Sequence, residues 1–385
     1  MTVAALGAYL HVHWEAIKQA LLEGRYRPKP VRRVEIPKPD GGVRKLGIPT
    51  VVDRFIQQLV LQVLQRRWDP TCSEHSYGFR PGRSAQQAVA HAQQYIAEGY
   101  GTVVDLDLEK FFDRVHHDRL MSRIATRVTD KRVLRLIRAY LNAGVMENGL
   151  VSPTEEGTPQ GGPRSPLVSN IVLDDLDRER EQRGHRFVRY ADDANIDVTS
   201  ERAGRRVLRR LTTFIEQRLK LTVNRAKSAV APPKERQFLG FSFTSGPEIR
   251  RRIAPHALAR FKQRVRTLTN RNRGRSMETV VEQRAPYLNG WGGYVGFCQT
   301  RSVLQGLDSW IRRRLRCVIW TQWKTPRRRI TELSRRGVHG DEAVSTAMSS
   351  HGPWRLSHSK AVQVAVPTAH FTTRGLPRLD VMVCR

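Results

Sequence analysis

At 385 residues, 39% hydrophobic and 27% charged, the chain has a globular composition and room for two or three domains. No uncharged apolar run reaches the ~18 residues of a membrane span, and no basic-then-apolar leader opens the chain. Cys72, Cys298, Cys317 and Cys384 are scattered without a CxxC, which argues against a disulfide framework or a Cys-rich zinc site and fits a reducing compartment.

The formal charge is +31, from 67 Lys+Arg against 36 Asp+Glu. So much like charge calls for a polyanionic partner. Nucleic acid is the first candidate, because each neutralised phosphate releases counterions; a membrane surface is the weaker one, with no long amphipathic lipid-facing stretch in view.

In chain order, alternating runs over 31–36 and 43–48 flank Pro39-Asp40-Gly41-Gly42 and predict a β-hairpin. Val51, Val52, Phe55, Ile56, Leu59, Val60, Val63 and Leu64 recur at helical spacing. Residues 102–107 read as a short strand, and a Gly/Pro-rich loop precedes a helix over 165–181. Residues 187–190 and 194–198 read as two strands joined at Asp192-Asp193. A helix over 203–219 follows, then short strands near 221–223 and 238–241. The turn signal Gly246-Pro247 marks a domain boundary. Beyond it, residues 250–338 hold 22 Lys/Arg against 4 acids, over half the net charge in under a quarter of the chain. Helical signals recur over 256–267 and 303–323. The latter carries Arg312, Arg313, Arg314 and Arg316 with Trp310, Trp320 and Trp323. The arginines suit phosphates, and most of the tryptophans are expected in the core.

Asp is depleted from strands, so strands that end in acids stand out. Asp105 and Asp107 are two residues apart and project from one face of a strand. Parity alone does not choose between them. Asp192 and Asp193 sit at the bend of a predicted hairpin, where the dipeptide alone reads as an ordinary polar turn. Carboxylates drawn together repel unless a cation lies among them, and hard divalent ions prefer oxygen ligands. The pattern predicts a Mg²⁺ site of the kind that clamps attacking and leaving oxygens in phosphoryl transfer. Lys38 and Arg44 bracket the turn of the first hairpin, where two cations could hold a triphosphate.

Tyr190-Ala191-Asp192-Asp193, with Asp107-Leu108-Glu109-Lys110-Phe111-Phe112-Asp113 upstream, resembles the polymerase site of reverse transcriptases. More narrowly, the chain resembles the reverse transcriptase/maturase proteins of bacterial group II introns, in order from about Arg32 to Pro377. The matching words include Ile36-Pro37-Lys38 through Arg44, Leu46-Gly47-Ile48-Pro49-Thr50, Tyr77-Gly78-Phe79-Arg80-Pro81 and Gly157-Thr158-Pro159-Gln160-Gly161-Gly162-Pro163. Ser165-Pro166-Leu167, Lys227-Ser228, Phe238-Leu239-Gly240-Phe241 and Tyr287-Leu288-Asn289-Gly290-Trp291 continue the series.

The resemblance implies an α+β right-hand polymerase: fingers, a palm with an antiparallel sheet, and an α-helical thumb or maturase domain. Its expected divisions are 1–98 (N-terminal extension remnant and fingers), 99–246 (palm), 247–338 (thumb/maturase) and 339–385 (a small DNA-binding tail). The compact lineage it suggests carries no endonuclease module. The family pattern usually has tens of residues before the position of Met1, and more often an aliphatic residue at Arg164. The implied activity is RNA-directed DNA polymerisation in intron splicing and retrohoming. The alternatives are a polymerase-inactive splicing cofactor or a reverse transcriptase of another bacterial element.

Asp107, Asp192 and Asp193 would be catalytic, with the Leu108 carbonyl a further metal ligand. Lys38, Arg44, Phe112, Gln160 and Lys227 would meet the dNTP, Phe112 as the steric gate against a 2′-hydroxyl. Phe238, Leu239 and Gly240 would grip the primer end, and Arg312, Arg313, Arg314 and Arg316 would bind RNA. The implied partners are intron RNA, an RNA template with a DNA primer, target DNA and dNTPs, in the bacterial cytoplasm beside the nucleoid.

Overall fold

Period-two alternation in the first hundred residues and period 3.6 around it produce the elements that the pattern announces. A computed structural model describes residues 1–37, 41–147, 150–152, 156–158, 162–163, 165–270 and 276–382. The chain divides into two compact units, Met1–Phe238 and Leu239–Arg385.

The first unit runs α1 (Leu6–Leu22), β1 (Val31–Pro37), β2 (Val43–Ile48), α2 (Val51–Trp68), α3 (Ala85–Ala97) and β3 (Thr102–Leu106). Then come α4 (His117–Ala125), α5 (Lys131–Leu141), β4 (Val145–Glu147), β5 (Leu150–Ser152) and α6 (Ser165–Gln182). It ends with β6 (Arg186–Tyr190), β7 (Asp193–Val198), α7 (Glu201–Phe214) and β8 (Ala229–Ala231).

The predicted first hairpin forms, with Ile36 opposite Arg44, and β4 joins β1 in parallel to give the order β2-β1-β4-β5. α2 is capped by Thr50, which accepts from the Asp53 backbone N–H. The buried Asp53 carboxylate takes hydroxyl bonds from Tyr26 at 2.8 Å and Tyr140 at 3.3 Å, tying the α1–β1 loop and α5 to α2.

A second sheet, in the order β6-β7-β3-β8, is antiparallel throughout. Val104 and Leu106 of β3, Ile196 and Val198 of β7 and Phe187 of β6 share its core. Leu120 and Ile124 of α4, Leu167 and Ile171 of α6, and Val207 and Leu211 of α7 complete it. Each such side chain stabilises by ~1.5–3 kcal/mol on burial. That core makes the register strict, since a one-residue slip would turn every apolar group to the wrong face. In this register Leu106 lies opposite Ala194 and Tyr190 opposite Asp193, so the end of β3 arrives beside the β6–β7 turn.

Two expectations for this unit change. The helix expected over 203–219 is α7 only to Phe214. Residues 215–219 widen into a π turn closed by the left-handed Lys220 (φ 57°). The strand expected near 221–223 reduces to one bridge, Leu108 with Val223.

The second unit opens with the hairpin β9 (Phe241–Phe243) and β10 (Arg251–Ile253), so Gly246-Pro247 lies inside a hairpin and the units part at Phe238–Leu239. Helices follow: α8 (Pro255–Leu268), α9 (Met277–Glu282), α10 (Ala285–Val295), α11 (Arg301–Gln322) and α12 (Pro326–Arg335). The last are α13 (Gly340–Met348), α14 (Pro353–Leu356), α15 (Lys360–Ala365) and α16 (Thr368–Thr372). Phe261 stacks on Trp291 at 3.7 Å between centroids, and Trp320 and Trp323 are buried, as expected of most of the tryptophans. Asp308 accepts from the backbone N–H groups of Leu379 and Asp380 at 3.1 and 3.0 Å, holding the tail against α11. Among the described residues, no helix is long and apolar enough to cross a membrane.

Candidate active site

β3 ends at Leu106, and the next residue is gripped by its backbone. The Asp107 N–H donates to Ser228 Oγ at 3.0 Å, and its carbonyl accepts from the Asn224 N–H at 2.8 Å. The facing turn carries Asp192, preceded by Ala191 in the left-handed region (φ 59°). A cavity of about 760 Å³ opens here, within the range of small-molecule sites. Its lining includes Asp107, Leu108, Phe112 and Asp192, with Arg44 from β2 and Lys227 from the loop after α7.

Phe112 is half-buried and meets the core residue Phe111 edge-on at 5.0 Å between centroids. The Phe112 carbonyl accepts from the Thr158 N–H at 2.7 Å, and His117 Nε2 lies 2.6 Å from the Gly157 carbonyl. Gly157 has φ +86°, and a Cβ there would stand 2.8 Å from the Asp113 carbonyl oxygen, so this loop needs glycine to close on the Phe112 turn.

Asp105 and Asp107 now separate. Arg236 Nε donates to Asp105 Oδ2 at 3.0 Å, whereas Asp107 lines the cavity. Burial chiefly pushes Asp192 up from the ordinary carboxylate range, with repulsion from Asp107 adding to it and Arg44 and Arg189 opposing. Asp193 opens β7 outside the cavity lining. Burial first, then Asp105, Asp192 and Asp107, push it up to about 7 against Arg236.

Two carboxylates that repel within one cavity suit a hard divalent ion. Mg²⁺ is commonly held by one or two carboxylates, the rest of its shell coming from water and substrate phosphates. Among the described residues no three Asp, Glu, His or Cys side chains gather at metal-binding geometry. The expected meeting of Asp107, Asp192 and Asp193 on one ion is therefore not formed: Asp107, Leu108 and Asp192 line the cavity, and Asp193 lies outside its lining. Lys38, Gln160 and Arg164 lie outside the described residues.

The expected primer-end strand starts only at Phe241. Leu239 (φ 52°) and Gly240 (φ 80°) form a left-handed turn that cannot continue a pleat. The Leu239 carbonyl accepts from the Tyr294 hydroxyl at 2.7 Å, and Phe238 is buried at the end of the first unit.

The four arginines expected to face RNA divide, and two of them correct that expectation. Arg312 and Arg316 are only 6% and 8% exposed. Arg312 stands 3.7 Å from Asp308, and Arg316 Nε donates to the Val366 carbonyl at 2.8 Å. Positions 308, 312 and 316 form one i, i+4 line, here the packed side of α11. Arg313 and Arg314 are half-exposed. Arg313 lies 4.1 Å over the exposed Trp354 ring, and Arg314 Nε donates to Thr269 Oγ1 at 2.6 Å.

Residue patterning gave no role to Ser228, quoted above only within the word Lys227-Ser228, and missed Arg236, Asn170, Asp177 and Arg189 as site residues. One signal was available: Arg189 is a charge at the same strand parity as the core residue Phe187. Asn170 and Asp177 come from α6 and Arg236 from a segment 131 residues beyond Asp105, contacts that linear spacing does not show.

A family model described as "Reverse transcriptase (RNA-dependent DNA polymerase)" matches residues 36–243, and one described as "Group II intron, maturase-specific domain" matches residues 258–337. The chain is 38% identical over 182 residues to protein YkfC of Escherichia coli (strain K12), covering 46% of this chain and 48% of that protein. It is 39% identical over 163 residues to the group II intron-encoded protein LtrA of Lactococcus lactis subsp. cremoris, covering 42% of this chain and 27% of that protein. It spans about half the length of the first and about a quarter of the second. Among solved structures, apo telomerase from Candida tropicalis aligns at a TM-score of 0.49 and 12% identity, over 92% of this chain and 64% of that one.

Proposed function

This chain belongs to the reverse transcriptase family, and on that premise we propose that it is an RNA-directed DNA polymerase serving a group II intron, with dNTPs as substrates. The observation that carries the reading is the sharing of one cavity by Asp107 and Asp192 with Arg44, Phe112 and Lys227 around it. Asp107, Asp192 and the Leu108 carbonyl would hold Mg²⁺, which when bound offsets charge on the reacting phosphate oxygens and lowers the pKa of the primer hydroxyl. Asp193 supports the pair from β7.

Arg44 lines the cavity from a hairpin arm and binds the triphosphate, where its guanidinium also stabilises the charge of departing pyrophosphate. Lys227 adds a second cation to the lining, and Phe112 supplies the flat apolar surface beneath the sugar. Lys38 and Gln160 complete the nucleotide contacts, and Phe238, Leu239 and Gly240 the contact with the primer end. The strongly basic second unit, whose residues 258–337 match the maturase-specific family, binds intron RNA through half-exposed cations such as Arg313 and Arg314.

The test is extension of a DNA primer annealed to an RNA template by the purified chain, with and without Mg²⁺. The reading expects Mg²⁺-dependent product from dNTPs and its loss in Asp192→Ala. Absence of product from the unaltered chain, or undiminished synthesis by Asp192→Ala, overturns it.

A further inference from the structure

We infer that Arg189, locked between Asp177 and Asn170, is a positioning residue that holds the Ala191–Asp192 turn in its metal-binding shape. The inference rests on the polymerase reading above and goes beyond it, because none of these three side chains lines the cavity.

The turn needs holding. Ala191 carries a Cβ and still adopts φ 59°, a conformation uncommon outside glycine, Asn and Asp. Such backbone persists where its surroundings over-determine it. Here they do. Arg189 Nη1 donates to the Ala191 carbonyl at 2.8 Å and to Asn170 Oδ1 at 2.9 Å. Arg189 Nε lies 2.9 Å from each Asp177 carboxylate oxygen, and Nη2 donates to Oδ2 at 2.6 Å. The fork fixes the guanidinium plane, so the donor aimed at Ala191 cannot swing away.

Asn170 spends its other end on the far side of the turn, donating from Nδ2 to the Gly78 carbonyl at 3.0 Å. Asn170 and Asp177 are seven residues apart on α6 and share one face of that helix. The segment around Gly78 is itself zipped to β6: the Arg189 N–H donates to the His75 carbonyl at 2.9 Å, and the Tyr77 N–H to the Arg189 carbonyl at 2.8 Å. A Cβ on Gly78 would fall 2.2 Å from the Ala191 nitrogen, so the glycine lets this strap lie directly against the turn. The turn is thus fixed through its carbonyl on one side and its backbone on the other.

Asp177 has a second arginine, with Arg180 Nη1 at 3.4 Å, and all three side chains are buried. Asp177 is thus shared by two buried guanidinium groups, Arg189 and Arg180.

The test uses the full chain carrying Asn170→Ala, Arg189→Lys or Gly78→Ala. Mn²⁺ binding is followed by electron paramagnetic resonance, alongside primer extension against Mg²⁺ concentration and thermal melting. Outer groups that orient metal ligands typically change metal affinity by about 10–100-fold. Asn170→Ala is expected to weaken Mn²⁺ binding and raise the half-saturating Mg²⁺ by about tenfold, while its melting temperature stays near that of the unaltered chain. Arg189→Lys keeps the charge and loses the fork, and is expected to show the larger effect; should it fail to fold, Asn170→Ala and Gly78→Ala decide. Folded variants with unaltered Mn²⁺ affinity and Mg²⁺ dependence overturn the inference and leave the polymerase reading standing. An unaltered chain that neither binds Mn²⁺ nor extends a primer overturns both.

Discussion

Arg236 Nε donates to Asp105 Oδ2 at 3.0 Å, while Nη2 of the same guanidinium reaches the Lys227 carbonyl at 2.9 Å. One ion pair thereby removes one of two carboxylates of equal strand parity from the cleft and braces the loop that carries Lys227. Asp107 keeps the cavity. Asp105→Asn should retain primer extension within about tenfold, whereas Asp107→Asn should lose at least about a hundredfold, the scale expected when a metal ligand is removed. Initial rates of dNTP incorporation measure both, and equal losses would contradict the division of roles.

Phe112 lies along the cavity, half-buried and braced by Phe111. Removing its ring should admit a 2′-hydroxyl. Phe112→Ala is expected to improve rNTP relative to dNTP use by at least about tenfold in kcat/KM, a typical reach for steric discrimination in a pocket. Competition between dCTP and CTP on one template reads this directly. An unchanged ratio would place the gate elsewhere.

The buried trio Arg180–Asp177–Arg189 should be costly to break. Asp177→Ala leaves two guanidinium groups in the core without their carboxylate. Loss of one partner of a buried pair costs about 3–5 kcal/mol. Denaturant unfolding of the full chain should show a loss of that size. A shift below about 1 kcal/mol, the range of exposed pairs, would mean that water reaches the trio.

Acid should loosen the second unit at His370. Its Nδ1 lies 3.2 Å from Arg374 Nη1 and 3.5 Å from Arg336 Nη1, so it accepts and the ring is neutral. Burial first, then Arg374 and Arg336, push its pKa down to about 4, with Glu278 opposing. The folded value is below the unfolded value near 6.5, so the folded state binds the proton less well. The contribution to stability is complete above pH 6.5 and is lost as pH falls from there through about 4. His370→Gln should flatten the decline in melting temperature between pH 7 and pH 4.5. A decline identical to that of the unaltered chain would assign acid sensitivity to other groups.

Arg313 and Arg316 sit three residues apart and should behave differently. Arg316→Ala removes a buried tie to the Val366 carbonyl, so it should lower the melting temperature and leave the salt dependence of RNA binding unchanged. Arg313→Ala should reduce the slope of log K against log salt by about one phosphate contact. Titrations of intron RNA at several salt concentrations separate the two.

Residue order alone determined the hairpin of β1 and β2, the helices that bury one stripe, the charge of the C-terminal half and the words around Asp107 and Asp192. Those features come from periods of two and 3.6 and from short runs whose chemistry is local. The tertiary structure decided which of Asp105 and Asp107 meets the cavity, because the deciding partner, Arg236, lies 131 residues further on. It also turned Arg312 and Arg316 inward and set Asn170, Asp177 and Arg189 beneath the turn. A side chain's neighbours across a sheet depend on register and packing, which join segments that the linear order keeps far apart.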